Sequence, residues 1–186
     1  MTTTPFILAE ISDDTVLMDR ITALRIEAWR TFIPIEPEVT SWTDPFDPLA
    51  RHWVILDGDV LAASGRLSIH KRLEDVPDCE VYRGMFNSPP PSPIAVIGRL
   101  VVHPRYRGRG LSTWLDQTRI TAAELAGCRC VLGHTHAGDK RTDQLKSRGF
   151  RVLGTAHPNE QGIVRNLVGV VVYREFPLLS GNFHER

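Results

Sequence analysis

The segment between residues 94 and 132 constrains the fold more than any other part of the sequence. An apolar stretch, Ile94 to Val102, precedes a turn rich in glycine and arginine, a helical pattern from Leu111 to Ala126, and a second apolar stretch, Cys128 to Gly133. Gly127 suits the end of the helix, because glycine readily adopts the left-handed conformation found there. Two strands joined through a helix lie parallel in one sheet, in a right-handed crossover. The sequence therefore predicts one parallel strand pair.

The helical pattern itself predicts which side packs on the sheet. Apolar and small residues recur at helical spacing along one stripe. The members of this stripe are Leu111, Trp114, Leu115, Thr118, Ala122 and Leu125. We expect this stripe to be buried.

The flanking segments are typical of antiparallel strands. Asp57-Gly58 separates two apolar runs, His52 to Leu56 and Val60 to Ile69, in the pattern of a β-hairpin. Further strands are predicted at Thr4 to Glu10, Phe150 to Leu153 and Leu167 to Tyr173, with helices after Asp13 and Asp14 and from Asp139 to Ser147. The predicted fold is a mixed α/β sheet, mostly antiparallel with one parallel pair, and helices on both faces. A chain of 186 residues that is 42% hydrophobic can form a single domain, residues 1–186.

The composition argues against several classes of partner. Lys and Arg together number 22, as do Asp and Glu, so no overall field attracts nucleic acid or an anionic membrane. We find neither a leader pattern nor a membrane-spanning stretch. Three cysteines are too few for a disulfide framework, and Cys128 and Cys130 are better interpreted as buried thiols than as zinc ligands. We therefore expect a cytoplasmic protein with no metal, nucleic-acid partner or membrane attachment.

The turn before the helix, Arg105-Tyr106-Arg107-Gly108-Arg109-Gly110, has the chemistry of an anion site. Its two glycines let backbone N–H groups point inward with no side chain in the way. The helix start adds unpaired N–H groups and the positive end of its dipole, and the three arginines add charge. The turn lacks the Lys-Ser/Thr ending of a P-loop, and Thr113 breaks the dinucleotide pattern. ATP and NAD are therefore disfavoured.

The same turn and its surroundings resemble the GNAT N-acetyltransferases. Arg105 to Gly110 matches the family signature Arg/Gln-x-x-Gly-x-Gly/Ala, and the apolar strand before it ends in Leu100-Val101-Val102-His103-Pro104 as in that family. A helix, a buried strand, a short helix and the pair Gly149-Phe150 follow in the family order. The match is good from Ile94 to about Leu153 and extends only in outline to the N-terminal part. It implies an N-terminal half with the substrate-side helix, loop and hairpin (1–93), an acetyl-CoA-binding core (94–153) and C-terminal strands (154–186).

The resemblance implies that acetyl-CoA is the acyl donor. The backbone of Leu100 to Val102 would pair with the pantetheine amides, and Arg107 to Ser112 would hold the pyrophosphate. The thioester would lie between Arg99 to Val101 and Gly133 to Thr135. The implied binding residues are Leu100, Val101, Val102, Arg105, Arg107, Gly108, Arg109, Gly110, Leu111 and Ser112. The acceptor would be an amine of a small molecule or peptide, and a homodimer is left open.

Acyl transfer to an amine requires a neutral amine, a donor to the developing oxyanion and a proton source for the thiolate. A backbone N–H of Val101 or Val102 suits the oxyanion. His134 is the first candidate for the base and His136 the second, because both follow the buried strand and imidazole titrates in the useful range. Their spacing alone does not make a metal site, since further ligands are missing nearby.

Other candidates lie outside that strand end. Glu80 and Tyr82 belong to a predicted extra strand and are alternative catalytic groups. Many family members carry a tyrosine, four residues before the Gly-Phe pair, that protonates the thiolate, and here that residue is Leu145. Tyr173, water or unassisted departure of the thiolate would have to replace it. Lys140 and Arg141 either contact the ribose phosphate or form a solvated helix start.

Two other functions stay open. The segments Leu24-Arg25 to Trp29-Arg30 and Asp47-Pro48, with the hairpin after them, resemble the N-terminal half of acyl-homoserine-lactone synthases, which use longer acyl chains. The loss of the family tyrosine at Leu145 also fits a non-catalytic acyl-CoA-binding module. The proline-rich segment from Thr31 to Leu49 is either a wall of the substrate pocket or a connector.

Overall fold

The computed structural model describes residues 5–12, 14–136, 140–156 and 169–177. The strands are β1 (Ile7–Ile11), β2 (Arg51–Asp57), β3 (Val60–His70), β4 (Ile94–Val102), β5 (Cys130–His136), β6 (Arg151–Ala156) and β7 (Gly169–Glu175). The helices are α1 (Thr15–Trp29), α2 (Cys79–Tyr82), α3 (Leu111–Leu125) and α4 (Lys140–Lys146). Of the predicted element ends, Thr4, Asp13, Asp139 and Leu167 lie outside the described residues.

The seven strands form one sheet in the order β1-β2-β3-β4-β5-β7-β6. Among the strands of the described residues, β4 and β5 pair in parallel and the other five contacts are antiparallel. The predicted mixed sheet with one parallel pair is therefore confirmed, as is the hairpin around Asp57-Gly58. Gly58 has a φ of +56°, which that tight turn requires.

The sheet buries apolar side chains on both faces, because successive residues of a strand point to opposite sides. One face, with Ile55, Ala95 and Ile97, packs against Leu115 and Ile120 of α3. The other face is covered in two places. Val54, Leu61 and Val101 contact α1, whereas Val96, Leu132 and Tyr173 pack around α2. Helices on both faces are therefore confirmed.

The start of α1 shows how local sequence fixes an element. The Asp14 side chain accepts a hydrogen bond from the Leu17 amide at 2.9 Å, as expected for a cap that satisfies one of the unpaired donors. Ile21, Leu24 and Ala28 then fall on the buried side. Within the described ranges, no helix combines the length and apolar character needed to cross a bilayer.

Two sequence predictions need correction, one in part: Leu111, Leu115 and Ala122 of the α3 stripe are buried as predicted, but other members are not. The α3 stripe is shifted, since Leu125 is 84% exposed and Trp114 39% exposed, whereas Asp116 and Arg119 are fully buried. Charged residues can occupy the buried side here because they neutralise each other. The extra strand predicted around Glu80 is also wrong, since residues 79–82 form the short helix α2, which buries the side chain of Val81 in the core.

Candidate active site

A cleft of about 500 Å³ opens where β4 and β5 diverge. The two strands pair only from Ile94 opposite Cys130 to Val96 opposite Leu132, although both continue further. Residues 97–102 line one wall and residues 134–136 the other. Phe32 and Ile33 also line it, so the start of the proline-rich segment forms part of the wall.

The cleft is closed at its inner end by a tight contact. A Cβ placed on Gly133 would lie 3.2 Å from both Ile97 Cγ1 and the Ile97 carbonyl oxygen. The two strands therefore approach as closely as a glycine permits before they separate. Among the described residues, the backbone of β4 beyond this point has no strand partner on the cleft side.

The open edge of β4 offers particular backbone groups to the cleft. The His103 amide donates to the Ala62 carbonyl of β3 at 2.9 Å. Backbone groups of consecutive strand residues face alternate neighbours, so the amide of Val102 faces the cleft whereas that of Val101 faces β3. Of the two amides predicted for the oxyanion, Val102 is thus the one directed into the cleft.

A bulge in β4 shapes the middle of this wall. Ser64 pairs with Val101 and Arg66 with Gly98, so the single residue Gly65 lies opposite both Arg99 and Leu100. Arg99 has a φ of +50°, a conformation that non-glycine residues rarely adopt. Bulges redirect the backbone and are common beside functional sites.

The glycine turn lies at the outer end of the cleft and fits a phosphate group. Gly108 and Gly110 have φ values of +77° and +79°, and a Cβ on either would meet no protein atom within 4 Å. Within the described parts of the chain, the backbone N–H groups of residues 108–113 donate to no protein acceptor, and the first helical bond is from Trp114 to Gly110. A row of unpaired donors at a helix start is the arrangement that binds a diphosphate.

The three arginines of the turn have different surroundings. Arg107 donates to the Ala28 carbonyl at 3.0 Å and to Thr31 Oγ1 at 2.8 Å, and it therefore ties the turn to the end of α1. Arg109 lies over the Tyr106 ring at 5.1 Å. Arg105 is exposed. Of the three, only Arg107 lines the cleft, together with Gly108 and Ser112. Leu111 contributes its amide, because its side chain is in the core.

The two histidine candidates both lie in the cleft. His134 and His136 line its β5 wall and are half-buried. The His136 Nδ1 atom is buried without a hydrogen-bond partner in the described chain. Thr135, between them, exchanges a 2.8 Å hydrogen bond with Thr142 of α4. Lys140 and Arg141 line the same cleft from the start of α4.

The remaining catalytic candidates are not brought to this place. Glu80 is exposed and accepts a hydrogen bond from Cys79 Sγ. Tyr173 is 3% exposed and donates to Glu175 at 3.0 Å, toward the end of the sheet where β4 and β5 are paired. Burial and the Glu175 carboxylate raise the pKa of Tyr173. Leu145, at the position of the family tyrosine, is fully buried in the core.

A buried network of charged side chains lies behind the Arg99 bulge. The Arg25 guanidinium binds both carboxylate oxygens of Asp47, at 2.6 and 2.9 Å. Arg66 bridges Asp47 at 3.0 Å and Asp44 at 2.9 Å. Arg99 donates twice to the Asp44 carboxylate, at 2.8 and 2.5 Å. The network therefore joins α1, the proline-rich segment, β3 and β4.

The network shifts the acidity of its members. Burial raises the pKa of Asp44, but the guanidiniums of Arg66 and Arg99 outweigh it and hold the pKa at about 2. Burial also raises the pKa of Asp47, but the hydrogen bonds and charge of Arg25 outweigh it and lower that pKa overall. Both carboxylates are therefore charged at neutral pH.

A second buried network lies on the other face of β4. Arg119 and Asp116 of α3 are fully buried and joined at 2.8 Å, and Arg141 of α4 also binds the Asp116 carboxylate. Burial lowers the pKa of Arg119 to about 10, and the Asp116 charge opposes that shift. Neither network was predicted from the sequence. The signal that could have indicated them is the presence of charged residues inside apolar strands and on a helix face that packs on the sheet.

The sequence profile of the acetyltransferase (GNAT) family matches residues 18–150. The ribosomal-protein-S18-alanine N-acetyltransferase from Escherichia coli has a similar structure, with 12% identity, a TM-score of 0.63, and coverage of 96% of this chain and 100% of that one. FeeM, an N-acyl amino acid synthase from uncultured soil microbes, has 13% identity and a TM-score of 0.67, and the match covers 92% of this chain and 91% of that one. NAA60 from Arabidopsis thaliana in complex with acetyl-CoA has 17% identity and a TM-score of 0.61, and the match covers 92% of this chain and 99% of that one. A search of curated proteins gives no significant match.

Proposed function

This chain belongs to the acetyltransferase (GNAT) family, and from that premise we propose that it transfers the acetyl group of acetyl-CoA to an amine of a small molecule or peptide. One observation carries the proposal. Gly108 and Ser112, which belong to the row of unpaired amides at residues 108–113, and the open edge of β4 line a single cleft. The diphosphate of CoA needs the first set of donors, and the amides of the pantetheine arm that follows it need the second. Family membership and the acetyl-CoA bound to the similar plant enzyme support the choice of donor.

The residues that would hold acetyl-CoA fall into two groups. The amides of Gly108 to Ser112 bind the diphosphate, and those of Leu100 and Val102 bind and orient the pantetheine arm or the thioester oxygen. When bound, acetyl-CoA supplies an activated thioester carbonyl. Leu100 belongs to the bulge and lines the cleft, and we assign its amide to stabilise an oxyanion in the middle of the cleft. Lys140 and Arg141 add positive charge at the cleft and suit a further phosphate.

His134 is the group that we assign to remove the proton from the attacking amine. It lies on β5 in the cleft, at the end of the strand that faces the open edge of β4. His136 lies two residues further on the same wall and is the alternative. Tyr173 and Glu80 lie outside the cleft, so the thiolate is protonated by water or leaves unassisted in this proposal.

The proposal is tested by incubating the protein with acetyl-CoA and a panel of amines, amino acids and peptide N-termini. Free thiol is followed by a colorimetric reaction and acetylated products by mass spectrometry. We expect thiol release that depends on one class of amine and matches product formation. Calorimetric binding of CoA without transfer to any amine would instead indicate a non-catalytic acyl-CoA-binding module.

Replacing His134 by alanine should lower kcat about 100-fold and leave the Kd for CoA unchanged, because a general base contributes to the proton transfer alone. The acidic limb of the pH–rate profile should disappear in this variant. His136→Ala is the matched control on the same wall and should keep that limb. A His134→Ala enzyme with the wild-type pH profile would exclude His134 as the base.

A second candidate function is N-acylation by a longer acyl chain, as in acyl-homoserine-lactone synthases. Arg25 and Asp47, which carry part of that resemblance, form the buried bidentate ion pair of the network. FeeM, the N-acyl amino acid synthase, shares the fold and supports the same reading. The two functions are separated by comparing acetyl-CoA with octanoyl- and dodecanoyl-CoA in the same assay, since an acetyltransferase should transfer little from the longer thioesters.

A further inference from the structure

One side chain holds the β4 bulge from beneath the sheet. Arg119 of α3 is fully buried, and its Nη1 donates to the Gly98 carbonyl at 2.9 Å and to the Arg66 carbonyl at 3.0 Å. These two carbonyls belong to the residues that pair at the edge of the bulge. The guanidinium thus bridges β3 and β4 at the point where their register shifts.

The rest of the guanidinium is held just as firmly. Its Nε donates to the Leu115 carbonyl at 3.2 Å and its Nη2 to Asp116 at 2.8 Å. Asp116 is in turn bound by Arg141, which lines the cleft from α4. A planar fork with donors in fixed directions suits this set of acceptors, and an ammonium group does not.

The opposite side of the bulge is built around the same guanidinium. Gly65 is the residue that lies opposite Arg99 and Leu100, and a Cβ on Gly65 would lie 3.0 Å from both Cζ and Nε of Arg119. Since the guanidinium is hydrogen-bonded and fully buried, it has little freedom to move away. Gly65 therefore provides the space that Arg119 occupies.

We propose that Arg119 is a positioning residue for acyl transfer, which holds the Arg99–Leu100 bulge in place through the Gly98 and Arg66 carbonyls. This inference rests on the proposed acetyltransferase function. Leu100 belongs to this bulge, so a displacement of the Gly98 carbonyl turns the Leu100 amide away from the position in which it serves the oxyanion. Misplacement of a catalytic donor by about 1 Å lowers a rate by as much as 100-fold. The guanidinium makes no hydrogen bond to residues 108–112 within the described chain.

The test uses Arg119→Lys, Gly65→Ala and the double variant, each checked for folding by circular dichroism. Arg72→Lys is the matched control, because Arg72 is 71% exposed and pairs only with nearby Asp75 among the described residues. For Arg119→Lys we expect kcat, measured with an amine that the wild-type protein acetylates in the panel assay, to fall between about tenfold and 100-fold. The Kd for CoA should stay within about threefold, less than 1 kcal/mol. Gly65→Ala should show a smaller fall of the same kind.

The double variant separates positioning from two independent defects. If Gly65 acts only through the guanidinium, adding Gly65→Ala to Arg119→Lys should lower kcat little further. The inference would be overturned if the falls in kcat of the two single variants multiplied in the double variant. It would also be overturned by a wild-type kcat in folded Arg119→Lys, or by a loss of CoA affinity that accounts for the loss of kcat.

A measurement without an acceptor keeps this inference separate from the proposed function. Amide chemical shifts are recorded with CoA and with acetyl-CoA, and their differences report on the acetyl group. In Arg119→Lys these differences should change for residues 99–101 and stay the same for residues 108–112. If wild-type protein acetylates no amine, the proposed function fails, yet unchanged differences at residues 99–101 remain the result that refutes the role of Arg119.

Discussion

Gly110→Val should abolish measurable CoA binding and leave the fold intact. Gly110 has a φ of +79°, which valine avoids, so the substitution should change the backbone conformation of the turn and misdirect the adjoining unpaired amides. Loss of two charge-assisted hydrogen bonds to phosphate costs at least about 3 kcal/mol, which is more than a 100-fold rise in Kd. Isothermal calorimetry with CoA measures this directly.

Gly58→Val is the matched control for that experiment. Gly58 has a φ of +56°, and its Cβ would also meet no protein atom within 4 Å, so the backbone penalty is of the same kind. It lies in the β2–β3 hairpin, outside the residues that line the cleft. Gly58→Val should therefore lose stability but bind CoA as wild type does. Equal Kd values for Gly110→Val and wild type would refute the diphosphate site.

The crossover and the glycine turn were predictable from the sequence because their signals are local. The apolar runs of β4 and β5, the helical pattern between them and the two glycines each depend on residues close together in the chain. Physical rules for such neighbours, such as turn conformation and helix starts, apply without knowledge of distant contacts. The predicted antiparallel flanks followed from the Asp57-Gly58 hairpin for the same reason.

The orientation of α3 was mispredicted because the sequence does not show how charges are paired. Trp114 and Leu125 were expected inside, yet the buried positions include Asp116 and Arg119. Burial of a charge is costly unless it is paired and hydrogen-bonded, so apolar periodicity is normally the better signal. Here Asp116 and Arg119 pair with each other three residues apart, but their remaining partners are Arg66, Gly98 and Arg141, which the local sequence does not indicate.

The bulge in β4 is held from both faces of the sheet through one residue. The Arg66 carbonyl accepts a hydrogen bond from Arg119, whereas the Arg66 guanidinium binds Asp44 and Asp47 on the other face. Arg99, within the bulge, binds the same Asp44. The conformation of Arg99, with φ of +50°, costs free energy and persists only where its surroundings fix it. Two buried charge networks that meet at Arg66 provide that constraint and connect the proline-rich segment to the cleft wall.

The fold should be strongly destabilised by Asp47→Asn. The substitution keeps the shape of the side chain but removes the charge that neutralises Arg25 and, in part, Arg66. Leaving buried guanidiniums uncompensated costs about 3 to 5 kcal/mol, a large part of the 5 to 15 kcal/mol that stabilises a typical domain. Urea denaturation followed by tryptophan fluorescence should show a midpoint lowered by about 2 M at an unchanged slope.

Glu10→Gln provides the comparison that makes this result specific to burial. Glu10 binds Arg51 with two hydrogen bonds, at 2.6 and 2.8 Å, as Asp47 binds Arg25. Its pair is exposed, however, with 41% of the Arg51 side chain and 36% of the Glu10 side chain accessible, against 0% and 7% for Arg25 and Asp47. An exposed pair contributes about 0 to 1 kcal/mol, so Glu10→Gln should barely shift the midpoint. Equal losses in the two variants would mean that the buried network does not constrain the segment around Asp47, and the Arg99 bulge would then lack its support on that face.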